Sequence, residues 1–165
     1  MFGVASPLRV GGSLFERVVY SESPSNSAEP NFTRDFMFGL GLGYRVGKLS
    51  VELGVGIGGG NGGFGVVGSA HGLGRYWLTP TLYAATQVEV CEGSALLDRR
   101  DRVSTNGLIG AGTSLGANRR WFVEALVGAG KTNATYTYPD REAESLELRG
   151  HVRIGLRLGA FAPRR

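Results

Sequence analysis

Cysteine occurs once in this chain, at Cys91, which excludes an intramolecular disulfide and any cysteine-based zinc site. Histidine occurs only at His71 and His151, too few and too far apart to suggest a metal centre. Charged residues make up 19% of the sequence, below the ~25% of an ordinary soluble domain. No apolar run approaches the ~18 residues of a transmembrane helix. The opening Met-Phe-Gly-Val-Ala lacks the basic and apolar regions of a signal peptide. If the protein is exported, the sequence therefore reads as a mature form with an added Met. Basic clusters are missing too. The net charge of +4 and pI near 9.6 come from scattered Lys and Arg, apart from Arg164-Arg165 and the mixed DRRDR at 98–102. That distribution argues against a nucleic-acid partner. The sequons at Asn31 and Asn133 read as chance matches in polar loops. Helical periodicity is nearly absent, and only SALLDRRDRV, 94–103, suggests a short helix inside a loop.

Glycine is what the chain has in excess, with 28 in 165 residues. It weakens helices and ordinary strands alike, so its placement has to be explained. It alternates with apolar residues at the period of a β-strand. In 36–47, Phe38, Leu40, Leu42, Tyr44 and Val46 share one face, against Gly39, Gly41, Gly43 and Arg45. In 49–59, Leu49, Val51, Leu53, Val55 and Ile57 oppose Ser50, Glu52, Gly54, Gly56 and Gly58. In 82–91, Leu82, Ala84, Thr86, Val88 and Val90 oppose Tyr83, Ala85, Gln87 and Glu89. In 120–130, Trp121, Val123, Ala125 and Val127 oppose Phe122, Glu124, Leu126 and Gly128. In 150–161, Val152, Ile154, Leu156 and Leu158 oppose Arg153, Gly155 and Arg157.

Strands over 8–20 and 105–116 are less regular, and the stretch 64–77 has an ambiguous register. One parity puts His71 and Arg75 on its apolar side, the other leaves mostly glycine there, and a bulge would switch parity midway. The count is eight strands of about the length a tilted membrane strand needs. Tight links at 47–48, 79–81 and 117–118 alternate with longer polar segments at 21–35, 92–104 and 131–145, and the link at 58–65 is intermediate. Such alternation predicts a single-domain, all-β, antiparallel up-and-down barrel over 1–165, with both termini at the short-turn end.

An eight-stranded bore has no room for an apolar set drawn from every strand. The glycine set is a poor solvent surface, because it leaves backbone bare. The expectation is therefore an inverted barrel. Leu40, Leu42, Val51, Leu53, Val55, Val88, Val123, Val127, Ile154, Leu156 and Leu158 face lipid, and glycine clears the lumen for long polar side chains. Parity places Glu52, Glu89, Glu124, Arg9, Arg45, Arg153 and Arg157 in that lumen. Tyr44, Trp77 and Trp121 fall beside short turns, with Tyr76 and Tyr83, while Phe36 and Tyr136 fall beside long loops. They read as two interfacial aromatic girdles.

With these features the chain resembles the small bacterial outer-membrane β-barrels of the OmpA transmembrane-domain and OmpX type. The closing GLRLGAF, with Phe161, is similar to that family's C-terminal assembly signal, although Phe161 shares the Arg157 parity and four residues follow it. The resemblance implies a monomer in the bacterial outer membrane with periplasmic termini. It also implies contact with membrane lipids and the outer-membrane assembly machinery, and loops open to a surface or periplasmic protein partner. Some barrels of this fold are lipid hydrolases, which leaves an outer-membrane lipid hydrolase as a lesser alternative, but the residues here offer no cofactor, metal or catalytic site.

Charges in a confined bore must pair, because desolvation costs several kcal/mol each. They form either an inert plug that fixes the barrel's shape or a Glu–Arg gate that passes ions when its partners exchange. Catalysis would need a nucleophile beside a base. His71 has only Ser69 on its face, His151 has Ser145 and Glu147 upstream, and neither forms a recognisable motif. GLGLGYRVGKLS, 39–50, looks superficially like a phosphate loop, but its glycines alternate within a strand and no helix follows. A soluble lipocalin-like carrier is the fold alternative, and it would need the opposite parity.

Overall fold

A computed structural model of the chain describes residues 1–18, 31–60, 66–95, 100–137 and 140–159. They form eight strands: β1 (Phe2–Val18), β2 (Asn31–Val46), β3 (Leu49–Gly60), β4 (Val66–Trp77), β5 (Leu82–Ala95), β6 (Arg100–Leu115), β7 (Trp121–Thr137) and β8 (Asp140–Gly159). Each pairs antiparallel with the next, and β8 returns to β1 to close a barrel. Closure leaves no unpaired edge.

The register fixes the barrel's dimensions. A row of paired residues that starts at Leu158 passes through Gly3, Leu42, Leu53, Gly72, Val88, Gly107 and Ala129, and comes back to β8 at Leu148. One circuit thus climbs ten residues along β8. With eight strands this gives a tilt of about 40° and a backbone radius of about 8 Å. A bore of that width is filled by side chains.

The tight turns are at one end. Gly47 (φ 56°) opens the two-residue turn between β2 and β3, where a positive φ suits a residue without Cβ. Thr79 Oγ1 accepts from the Leu82 amide at 2.9 Å and holds the turn between β4 and β5. At the same end Phe2 pairs with Gly159.

The strands run further than the alternation alone predicts. Much of the sequence read as long loops is strand: Asn31–Asp35, Val103–Ser104 and Lys131–Thr137 all belong to the ladder. The short helix expected over 94–103 is not formed where the chain is described, since Ser94–Ala95 close β5 and Arg100–Val103 open β6. Pairing across the barrel overrides local helix propensity there. Residues 96–99 lie outside the described set, as does Phe161 with its expected terminal signal.

The parity switch falls in β1 rather than β4. Register shifts between Ser6 and Arg9 against β2, and between Ala5 and Leu8 against β8. Pro7 sits at that point, and its missing N–H suits a break in the ladder. As a result Phe2 and Val4 point inward before the bulge, and after it Arg9 pairs with Arg153.

Candidate functional site

Seen from outside, the barrel is an apolar wall. Leu40, Leu42, Val51, Leu53, Val55, Val88, Val127, Ile154 and Leu158 are exposed, and Val123 and Leu156 face the same way half-buried. Phe36, Tyr44 and Trp121 are also outward. The side chains of Arg9 and Tyr136 lie outside the described set.

β4 resolves its ambiguity in one direction. Ser69, His71, Leu73, Arg75 and Trp77 point inward, and Gly68, Ala70, Gly72 and Gly74 form the outward face. Trp77 is therefore not an interfacial aromatic: it is 2% exposed and sits inside the bore. The same correction holds for Tyr83, which is fully buried. The physical reason is the even spacing of His71, Arg75 and Trp77. The first two cannot face the apolar wall without a partner, and Trp77 follows their parity.

The bore is filled in tiers. Nearest the tight turns, Trp77 and Tyr83 lie with ring centroids 4.6 Å apart. The Arg157 guanidinium lies 4.3 Å from the Phe122 ring centre and 5.3 Å from that of Tyr83. It donates Nη1 to Ser114 Oγ at 2.9 Å and Nη2 to Tyr83 Oη at 3.0 Å. Arg45 closes the mouth, 4.2 Å over the Trp77 ring. Arginine suits this tier because its flat, weakly hydrated fork stacks on aromatic faces while still donating from its edge.

Next comes a closed ring of four charges from four strands. Arg75 on β4 donates Nη1 to Glu52 Oε2 and Nε to Glu124 Oε2, both at 2.8 Å. Arg153 on β8 completes it, with Nη1 2.9 Å from Glu52 Oε1 and Nη2 3.0 Å from Glu124 Oε1. Each carboxylate thus meets both guanidiniums, and all four side chains are at most 4% exposed. His71 Nε2 flanks the ring, 3.4 Å from Glu52 Oε1 and 3.2 Å from Arg153 Nη1. Toward the far end Arg149 Nε stands 3.5 Å from Glu89 Oε2.

Parity reasoning brought Glu52, Glu124 and Arg153 to this ring and Glu89, Arg45 and Arg157 to the bore. It missed Arg75, Arg149 and the flanking His71. The signal for Arg75 was present in the alternative register of β4.

Glycine makes these tiers possible by lying opposite rings. Phe2 pairs with Gly43, His71 with Gly54, Tyr83 with Gly112 and Phe122 with Gly155. A Cβ on Gly43, Gly54 or Gly112 would run into the Phe2, His71 or Tyr83 ring respectively. The Phe2, His71 and Tyr83 rings thus occupy the space over the neighbouring strand's bare backbone, as when an aromatic covers a glycine across a ladder. Gly43→Ala should displace the Phe2 ring, the side chain its Cβ would meet, while the barrel stays closed. The check is the Phe2 ring resonances in a detergent NMR spectrum, which should move while the backbone amides of β6 and β7 do not.

Among the described residues, no three His, Cys, Asp or Glu side chains gather as a metal site. Comparison with known proteins adds little. No family model matches the chain, and no curated protein matches it. One solved structure it is similar to is Neisserial surface protein A. The two share 13% identity and a TM-score of 0.41, over 93% of this chain and 96% of that one.

Proposed function

We propose that this chain is an integral outer-membrane β-barrel with a structural or surface-interaction role, its bore closed by a side-chain plug and its longer connections available to a partner. The observation that carries the reading is the inversion of the barrel. Large apolar side chains cover the outside, with Leu53 at 74% and Leu40 at 67% exposure, while Glu89, Glu124 and Arg157 are fully buried within. A water-soluble barrel requires the opposite arrangement, since contiguous exposed apolar surface of this extent calls for lipid or a partner. The OmpA and OmpX type of small barrel is the family this architecture fits, in a Gram-negative outer membrane.

The reading is non-enzymatic. His71 Nε2 is directed at Glu52 and Arg153, and no hydrogen bond joins Ser69 Oγ to it. Cofactor and nucleic acid have no part in it, and the chain acts as a monomer that meets membrane lipids and the assembly machinery.

A second reading, a narrow ion-conducting pore, is favoured by the four-charge ring. Its two arginines each hold both glutamates, so a pair exchange alone would open a path without unpairing every charge. Planar-bilayer recording of the refolded protein decides between them, with a heat-shift gel as folding control. A plug predicts inserted but silent protein. Discrete openings that Glu52→Gln alters in conductance or open time would overturn the plug and establish the gate.

A further inference from the structure

Between the four-charge ring and the Glu89–Arg149 pair, the bore's packing leaves a small cavity with room for about one water-sized ligand. Met37, Ser69, His71, Gln87, His151 and Arg153 line it, and no carboxylate does. A Cβ on Gly56 would stand 2.8 Å from Ser69 Oγ and 3.4 Å from the Met37 methyl, so glycine helps keep the space clear.

The polar atoms around this cavity are unusual among the described residues. Gln87 is 2% exposed, and neither its Nε2 nor its Oε1 has a hydrogen-bond partner within the chain. The same is true of Ser69 Oγ, His71 Nδ1 and Arg153 Nε. Buried polar groups are nearly always satisfied, so a cluster of them around one cavity points to a ligand.

Their polarity indicates which ligand. Arg153 Nε–H can only donate. His71 Nε2 lies 3.2 Å from Arg153 Nη1, which can only donate, and 3.4 Å from Glu52 Oε1, which can only accept and already takes Arg153 Nη1 at 2.9 Å. The shorter contact assigns Nε2 as the acceptor, which puts the ring proton on Nδ1 and makes it a donor too. The Gln87 amide and Ser69 hydroxyl supply two more donors. Charge agrees: the buried described residues include Arg75, Arg149, Arg153 and Arg157 against Glu52, Glu89 and Glu124, an excess of one positive charge.

We propose that this cavity binds a small dehydrated anion of halide size, held by Arg153 Nε, His71 Nδ1, the Gln87 amide and the Ser69 hydroxyl. Met37 gives at the apolar side, where a polarisable thioether adapts to a halide slightly larger than water. Sulfate and phosphate are too large. The site rests on the polar interior alone and stands whether the bore conducts or not.

The test is the unfolding midpoint of the full chain, refolded in detergent, in sodium chloride or bromide against sodium sulfate at equal ionic strength. Halide should raise the midpoint saturably, as a ligand of the folded state does, and sulfate should not. Gln87→Leu should weaken the apparent halide affinity about tenfold, and Ser69→Ala should weaken it less. Crystals soaked in bromide should show an anomalous peak within hydrogen-bond reach of Arg153 Nε. A midpoint indifferent to halide would overturn the proposal. So would a halide response that survives both variants, or an anomalously silent water in the cavity. If Gln87→Leu fails to fold, Ser69→Ala and the bromide peak decide.

Discussion

Arg75→Met will cost about 3–5 kcal/mol of folding stability, the usual penalty for removing one partner of a buried ion pair. Arg75 is the only described side chain that hydrogen-bonds Glu52 and Glu124 at 2.8 Å each. Without it, two carboxylates stay buried with Arg153 as their shared cation. Lysine should not rescue, because a single ammonium lacks the fork that reaches both carboxylates from one side chain. Neutralising the stranded groups should rescue: Arg75→Met combined with Glu52→Gln and Glu124→Gln should recover most of the loss. Urea unfolding in detergent micelles measures all of these. A loss below about 0.5 kcal/mol for Arg75→Met alone would show that the ring behaves as a solvated surface cluster.

The second large effect lies in backbone geometry. Gly128→Ala on β7 would drive its Cβ into the Gly107 carbonyl and Leu108 Cα of β6, and Gly110→Ala would do the same to the Ala125 carbonyl of β7. Both obstacles are main chain in a paired strand, so neither can give without breaking the ladder. We expect either change to cost at least about 3 kcal/mol, the upper end of overpacking penalties. Gly107→Ala is the matched control on β6, the strand of Gly110: it faces outward and its Cβ meets nothing within 4 Å. It should change stability by less than about 0.5 kcal/mol. Equal losses at Gly107 and Gly128 would mean that these strands resist any side chain in place of glycine, whichever face it occupies.

The contrast between these predictions marks how far the sequence could be read. Period-two alternation separates the faces, so the outward placement of Leu53 and the inward placement of Glu52 were both legible. Partnership was not. Along the pairing row Glu52 stands beside Leu73, and the same row reaches Gly128 on β7 and Arg149 on β8. Yet Glu52 bonds Arg75 and Arg153. Because the strands tilt, residues at one height are displaced along each strand from the pairing row, and that displacement depends on the barrel's shear. Alternation carries no record of shear. Trp77 was misplaced for a related reason: its proximity to a turn suggested a girdle, while its face was set by His71 and Arg75 on the same strand. The extra strand length beyond the expected loop borders had no apolar alternation to betray it.

The seam of the ring joins the beginning of the chain to its end, since β1 pairs with β8 from Phe2 opposite Gly159 to Val18 opposite Glu144. No intermediate with fewer strands can bury the charged interior, because Arg153 and Arg157 arrive only with the last strand. In the membrane barrel we propose, a partly built sheet would present Glu52, Arg75 and Glu124 to hydrocarbon, at several kcal/mol per charge. Insertion and sealing would then form one kinetic event, with the slow step set by the most distant pairing in the chain. On the same proposal, an assembly catalyst would shelter an open, polar-lined sheet until β8 zips against β1.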